Sequence, residues 1–303
     1  MRVLVTGGTG FVGGAVVRAL SRRGDRVTVL SRNPKKAQRD LPRGVRAAAW
    51  DPRKEGHWQD EVGVVDAVVH LAGDPIAQRW SPDAKKAIRD SRVESTRLVV
   101  DAIEKAQKRP AVLVSASATG YYGIERKGRL DEASEPGKGF LPELCMAWEE
   151  QAQRASELGT RSVQLRLGVV VGPGGALDKM IAPMRLFVNG PIGSGENILS
   201  WVQRDDVVGM ALTALDDDSW EGAYNCVSPY AVTSRELAKT LGSVIGRPAV
   251  PAPAGPVKMI LGDFVDVLTG NLDVFPQRAV DAGYEYHHAR LTPALEAALM
   301  ADA

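Results

Sequence analysis

The stretch Leu4-Val5-Thr6-Gly7-Gly8-Thr9-Gly10-Phe11-Val12-Gly13-Gly14 constrains this chain more than any other. Gly7, Gly10 and Gly13 fall at G-x-x-G-x-x-G spacing between two apolar segments. Val3-Leu4-Val5 before them reads as a short buried strand. From Phe11 to Arg23 after them, Val12, Ala15, Val16, Ala19 and Leu20 recur at helical spacing. A strand, a glycine turn and a helix in that order make the first half of a β-α-β unit.

The rest of the chain continues that rhythm. Arg26–Ser31, the weaker Val45–Trp50, the nearly all-apolar Val64–Leu71, Ala111–Ser115 and Ser162–Val171 read as strands. Helical patterns separate them: a long one from Ser81 to Lys108 with Pro82 in its first turn, and another from Leu141 to Leu158. Strands alternating with helices predict an α/β chain with a Rossmann-type, doubly wound parallel sheet. After Gly172-Pro173-Gly174-Gly175 the pattern changes. A helix (Leu177–Val188), a glycine-rich run to Gly195, a helix starting near Asp205 and the strand GAYNCVS follow. Thr233-Ser234-Arg235-Glu236 fits a capping box that opens a helix to Ile245, and Pro248, Pro251 and Pro253 mark a connector. The expected division is a Rossmann domain over 1–171, rejoined by 205–230. A smaller, mostly helical C-terminal substrate lobe takes 172–204 and 231–303, with 248–303 its final segment.

The glycine spacing has a specific physical use. The first glycine makes a tight turn, the second lets a pyrophosphate approach the backbone, and the third lets helix and strand pack closely. The helix N-terminus then offers free N–H groups and a positive dipole end to the phosphates. Dinucleotide binding follows from that context. The adenosine ribose of such a ligand meets the end of the second strand, where an acid selects NAD and an arginine accommodates a 2′-phosphate. Here Ser31-Arg32-Asn33 occupies that place with no carboxylate. Arg32 can clamp a phosphate with its planar fork and Ser31 adds a hydroxyl, so NADP is favoured over NAD. Lys35 and Lys36 read as the start of a solvated surface helix.

Net charge is +1 and charged residues make up 25% of the chain, which gives no sign of a nucleic-acid partner. No run approaches the roughly 18 apolar residues that a membrane span needs. The two cysteines, Cys145 and Cys226, suggest no disulfide framework, and a reducing cytoplasm is the expected setting. His57, His70, His287 and His288 show no metal-site spacing, so no metal is expected.

Several stretches resemble the extended short-chain dehydrogenase/reductases: Thr6–Gly13, His70-Leu71-Ala72-Gly73, Tyr122-Gly123, Arg166–Pro173 and Trp201–Val207. "SASATGYYG", "FLPELCMAWE", "GPIGSGENILSW" and "VFPQRAVDAGYEY" narrow the resemblance to an atypical branch. That branch is NAD(P)-dependent epimerase/dehydratase-like, or sugar-nucleotide epimerase-like, with a C-terminal domain of unknown function. The resemblance implies that Thr9, Gly10, Phe11 and Val12 lie at the pyrophosphate and Ser31 and Arg32 at the adenosine phosphate. It places Asp51 near the adenine, Leu71, Ala72 and Gly73 along the ribose, and Arg92 within reach of the cofactor. Ser115 and Ser117 fall beside the nicotinamide, and Gly190–Gly195 with Trp201, Gln203, Arg204 and Asp205 above it. It also implies a homodimer through the helices around Ser81–Lys108 and Leu141–Leu158.

Active members of the wider superfamily use a Ser or Thr with a Y-x-x-x-K pair, in which the lysine lowers the tyrosine pKa so that a phenolate takes the substrate proton. No Y-x-x-x-K occurs in this chain. Counting back from Glu149 puts Cys145 at the lysine and Leu141 at the tyrosine, and Ala118 stands at the usual hydroxyl position. Ser117 and Tyr122 are the substitute catalytic candidates, with Tyr121 beside them. Cys145 reads as a small buried residue. Either Asp205 or Asp206 is expected to cap the helix that follows. Two functions compete. One is an NADP-dependent oxidoreductase or epimerase acting on an unidentified small, sugar-like substrate with rearranged groups. The other is an inactive NADP(H)-binding sensor or partner-binding protein.

Overall fold

The computed structural model describes residues 1–174, 177, 194–246, 265 and 269–300. The expected helix after Leu177, the glycine-rich run up to Gly193 and the connector at Pro248, Pro251 and Pro253 lie outside them.

In chain order the elements are β1 (Arg2–Thr6), α1 (Phe11–Arg22), β2 (Arg26–Ser31), α2 (Pro34–Asp40), β3 (Arg46–Ala49), β4 (Ala67–His70), α3 (Pro82–Arg89), α4 (Ser95–Lys105), β5 (Val112–Ala118), β6 (Glu125–Leu130) and α5 (Phe140–Glu157). Then come β7 (Arg161–Leu167), β8 (Val169–Val171), β9 (Ile198–Leu199), β10 (Trp201–Gln203), α6 (Arg204–Asp216), β11 (Gly222–Cys226), β12 (Val232–Thr233), α7 (Ser234–Val244), β13 (Asn271–Val274), α8 (Gln277–Asp281) and α9 (Leu291–Met300).

Seven strands form one parallel sheet in the order β3-β2-β1-β4-β5-β7-β11. Strand alternation divides its core. Val3, Val5, Val27, Val29 and Val69 face α1 and α6, while Leu4, Leu30, Val68 and Leu113 face α4 and α5. All are sealed from solvent or nearly so, each contributing roughly 1.5–3 kcal/mol of burial. The chain order reverses between β1 and β4, where doubly wound sheets open their ligand crevice.

The second lobe mixes helices with short strand pairs: β8 with β10, β9 with β12, and β6 with β13. The expected single strand Ser162–Val171 divides at Gly168. A Cβ there would lie 2.7 Å from the Ser200 carbonyl oxygen and 2.8 Å from Val227, so the backbones pass too closely for any side chain. β7 stays in the main sheet and β8 leaves it. The expected long helix over Ser81–Lys108 is also interrupted, by a π-helical turn over Asp90–Glu94 between α3 and α4. Asp206 ties the C-terminal segment to α6, its carboxylate accepting from the amides of His287 (2.6 Å) and His288 (3.0 Å).

Candidate functional site

The crevice at the β1–β4 switch is built around backbone. Gly7 has φ +68°, and a Cβ on it would sit 2.7 Å from the carbonyl of Leu71. On Gly13 a Cβ would lie 2.2 Å from the Gly7 carbonyl oxygen, so nothing larger than glycine lets α1 start this close to the loop. Gly10 caps α1 with no side-chain hydrogen bond, and its first turn holds no acid. The N–H groups of Phe11, Val12 and Gly13 are therefore left as uncompensated donors beside a helix dipole, which fits the phosphates of a dinucleotide.

At one end of this cradle β2 and β3 run side by side, and the Trp50 amide donates to Ser31 O (3.0 Å). Ser31 and Arg32, at the end of β2, thus lie beside Asp51, just past β3. Arg32 is exposed and forms no ion pair or hydrogen bond among the described residues. Asn33 caps α2 instead, its Oδ1 accepting from the Lys36 amide (3.0 Å). Asp51 accepts from the Arg53 amide and faces Lys54 at 3.6 Å.

At the other end, β4 runs into Leu71-Ala72-Gly73. A buried trio anchors this end. Thr6 Oγ1 lies 2.7 Å from His70 Nδ1, and Ser95 Oγ lies 3.2 Å from His70 Nε2. Ser95 Oγ donates to Ser91 O, so it accepts the Nε2 proton and leaves Nδ1 to take the Thr6 hydroxyl. Burial pushes the His70 pKa down to about 4, which keeps the ring neutral. Thr6 Oγ1 also accepts from the Ala72 amide (3.3 Å), holding the turn after β4 in place.

The β5 end is dominated by a buried polar cluster. Arg166 on β7 pairs with Glu149 on α5 through two bonds of 2.9 and 2.8 Å. Ser117 Oγ donates to the same carboxylate at 2.5 Å. Arg166 Nη1 donates to Tyr122 Oη (2.9 Å), whose proton is shared between Asn225 Oδ1 (2.8 Å) and Asp131 O (2.9 Å). The Arg166 guanidinium also stacks 3.5 Å from the Tyr121 ring centroid. Burial alone would lower the Arg166 pKa, but Glu149 and Tyr122 hold it above its ordinary value. Burial raises the Tyr122 phenol to about 12, with Arg166 acting against it.

These placements separate the candidates. Tyr122 is fully buried with its hydroxyl occupied on every side, and Ser117 is nearly so. Ser115, expected beside the nicotinamide, is fully buried and donates to Ala116 O. Leu141 and Cys145 lie one turn apart on α5 and pack under Gly120. Burial pushes the Cys145 thiol up to about 12, and Glu149 adds to the rise. Tyr121 is half-buried, and its hydroxyl has no hydrogen-bond partner among the described residues. The helix after β10 is capped by Gln203, whose side chain accepts from the Asp205 amide, so Asp205 and Asp206 lie in the first turn and neither is the cap. Arg92, on the π turn, brings its guanidinium against Gly73. The charge cluster around Glu149 was missed in the sequence; an acid and an arginine on separate elements carry no local signal of their pairing.

The sequence pattern of the NAD dependent epimerase/dehydratase family matches residues 3–226, and that of a domain of unknown function, DUF1731, matches 252–298. The chain belongs to this epimerase/dehydratase family. It is 40% identical to the chloroplastic SDR39U1 homolog of Arabidopsis thaliana over 305 residues, covering 98% of this chain and 86% of that protein. The crystal structure of human epimerase family protein SDR39U1 (isoform 2) with NADPH superposes with a TM-score of 0.84 at 34% identity, covering 99% of each chain. UDP-glucose 4-epimerase from Thermotoga maritima superposes with a TM-score of 0.83 at 21% identity over 99% of this chain and 98% of that one, a likeness of fold. Among the described residues no helix is long and apolar enough to cross a membrane, and no group of His, Cys, Asp or Glu could hold a metal ion.

Proposed function

We propose that this protein binds NADP(H) in the β1–β4 crevice and works without a tyrosine–lysine proton relay. One observation carries the second half. The two α5 positions where that pair would stand hold Leu141 and a buried, protonated Cys145, and the nearby Tyr122 hydroxyl is locked inside the core. The cradle at Gly10–Gly13 receives the diphosphate, and Arg32 with Ser31 receives the 2′-phosphate. That human SDR39U1 was crystallised with NADPH supports the choice of nucleotide. Bound NADPH carries a hydride at its nicotinamide, which the protein in this reading holds without passing to a substrate. This chain's own residues orient it: Ser117, Glu149 and Arg166 brace the end of β5, and Leu71–Gly73 line the ribose.

A second reading is an oxidoreductase or epimerase that acts on a small, sugar-like substrate with rearranged groups. The half-buried Tyr121, whose hydroxyl is unengaged, favours it as the proton donor. Incubation with NADPH tritiated at the nicotinamide C4 and a panel of keto-sugar nucleotides, aldehydes and ketones, each with a carbonyl to accept the hydride, separates the two. The binding-protein reading expects no label transfer. Transfer that is lost in Tyr121→Phe would contradict it and establish the second.

A further inference from the structure

Charge is unevenly distributed along this chain. Residues 1–54 hold 13 Lys and Arg against three Asp, which leaves 25 Lys and Arg against 34 Asp and Glu in the rest. The net charge of +1 therefore hides two poles of opposite sign. The fold keeps them apart. Successive right-handed crossovers put α1 and α2 on one face of the sheet, and Leu41 after α2 packs into the same core cluster as Val16 and Leu20 of α1. This flank exposes Arg18, Arg22, Lys36, Arg39 and Arg43. On the opposite face, α5 exposes Glu143, Glu150 and Glu157.

A surface charged for solubility alone interleaves the two signs. Here none of the five cations forms an ion pair or a side-chain hydrogen bond among the described residues. Nor do the acids of the same stretch offset them. Asp25 is held by the N-terminus and Arg23, and Asp51 faces Lys54, which leaves Asp40 as the one carboxylate of residues 1–54 without an ion pair among the described residues. The positive pole also reaches the crevice at both ends. Arg18 folds back along α1, so that a Cβ on Gly14 would lie 3.4 Å from its Nη1, directly after the Gly10–Gly13 cradle. Arg204, whose guanidinium faces the Phe11 ring at 5.5 Å, adds a second cation to that rim. At the other end Arg32 immediately precedes α2, and Lys36 and Arg39 continue the positive surface away from it.

A field of this kind acts before contact. It raises the association rate of an oppositely charged ligand by about 10- to 1,000-fold, a gain that salt screens away. NADPH carries about two more negative charges than NADH, because its 2′-phosphate is a monoester.

We propose that the α1–α2 flank steers NADP(H) into the crevice, so that part of the preference for NADPH over NADH is set during association by cations that never touch the bound nucleotide. This role rests on the NADP(H) reading above. Arg32 holds the 2′-phosphate once it has arrived, whereas Arg22, Arg39 and Arg43 act on the approaching anion and leave its dissociation unchanged. The acidic α5 face repels the nucleotide from the far side and sharpens the direction of approach.

The test is stopped-flow mixing of the protein with NADPH or NADH, followed by tryptophan fluorescence. Salt is varied from about 0.01 to 1 M, over which the screening length falls from about 30 to 3 Å. The NADPH association rate constant is expected to fall about tenfold or more across that range, and that of NADH less steeply. The triple variant Arg22→Glu, Arg39→Glu, Arg43→Glu should associate with NADPH several-fold more slowly at the lowest salt and as fast as the wild type at the highest. Its dissociation rate should match the wild type throughout. The corresponding triple Gln variant should fall between the two, and it carries the test if thermal unfolding shows the Glu variant to be misfolded. Faster dissociation with unchanged association would make these residues contacts and overturn steering, as would an NADPH association rate indifferent to salt. Duplex DNA that the wild type retains at physiological salt and the variant loses, with NADPH association unchanged, would assign the flank to a polyanion instead. If the wild-type protein binds neither NADPH nor NADH, the cofactor reading and steering fall together. If it binds NADPH and both variants associate as fast, only steering falls.

Discussion

Arg166 shows how a residue's setting decides its chemistry. Its guanidinium is only 5% exposed and its partner Glu149 13%, so neither charge is well solvated and each depends on the other. Removing one partner of such a pair costs about 3–5 kcal/mol, because the remaining charge stays buried. Glu149→Gln should lower stability by that order in denaturant titration. Tyr122→Phe deletes a hydroxyl that meets Arg166, Asn225 and Asp131. It should cost about 1–3 kcal/mol of stability while leaving NADPH affinity unchanged; weaker NADPH binding in a folded variant would place Tyr122 at the ligand after all. Nothing local in the sequence distinguishes these possibilities. A tyrosine after β5 reads alike whether it faces the cleft or the core, and its partner Asn225 lies 103 positions away. His70 gives a pH test. In the folded protein it binds a proton only near pH 4, whereas the unfolded ring does so near its ordinary value of 6.5. Between these values the unfolded state holds more protons, so His70 destabilises the fold as pH falls, by up to about 3 kcal/mol below pH 4. His70→Asn should flatten this part of the stability–pH profile; an unchanged slope would show that other groups produce it.

At the scale of elements, the periodic signals were legible and the breaks in them were not. β1, α1, β2 and α5 lie within a residue or two of their expected bounds, because apolar spacing reports directly on which face is buried. Thr233 caps α7, its Oγ1 accepting from the Glu236 amide (3.0 Å), which is one half of the expected capping box. β6 was missed: Glu125–Leu130 is mostly charged and exposed, and it becomes a strand only because β13, more than a hundred residues later, pairs with it. The split at Gly168 shares that origin, since it depends on Ser200 and Val227, which are distant in sequence. The glycine loop is the opposite case, with cause and effect in one short stretch. Gly13→Ala sets a Cβ against backbone rather than a flexible side chain. It is expected to lower the midpoint of thermal unfolding and to weaken NADPH at least about tenfold, since α1 must shift and its N–H donors with it. Unchanged affinity would show that the diphosphate does not rest on these donors.

For the whole molecule, the main sheet and the second lobe are joined by polar ties as well as by packing. Asp206 is fully buried in the first turn of α6 and binds two amides of the C-terminal segment, and the Tyr284 hydroxyl donates to its carbonyl. Burial raises the Asp206 pKa, and those two amides oppose the rise. Asp206→Ala leaves both amides without their acceptor. Hydrogen exchange should then rise over His287–Arg290 well before it rises in β1 or β4; uniform exchange would show that packing alone holds the segment. The family and its sheet were readable from the chain because glycine spacing and β-α alternation are local. The positions proposed for the adenosine end rest on an equally local signal, since Ser31 ends β2 and Arg32 follows it. The chemistry at the β5 end required the fold, because Ser117, Tyr122, Glu149, Arg166 and Asn225 come from five elements.

The proposed NADP(H) site depends on Arg32 for its choice of nucleotide. That dependence is tested most directly by fluorescence titration of NADPH and NADH against the wild-type protein and Arg32→Ala. NADPH is expected to bind the wild type about tenfold or more tightly than NADH, and Arg32→Ala should remove most of that preference by weakening NADPH alone. Equal affinities in the wild-type protein, or a variant that loses both nucleotides alike, would contradict it.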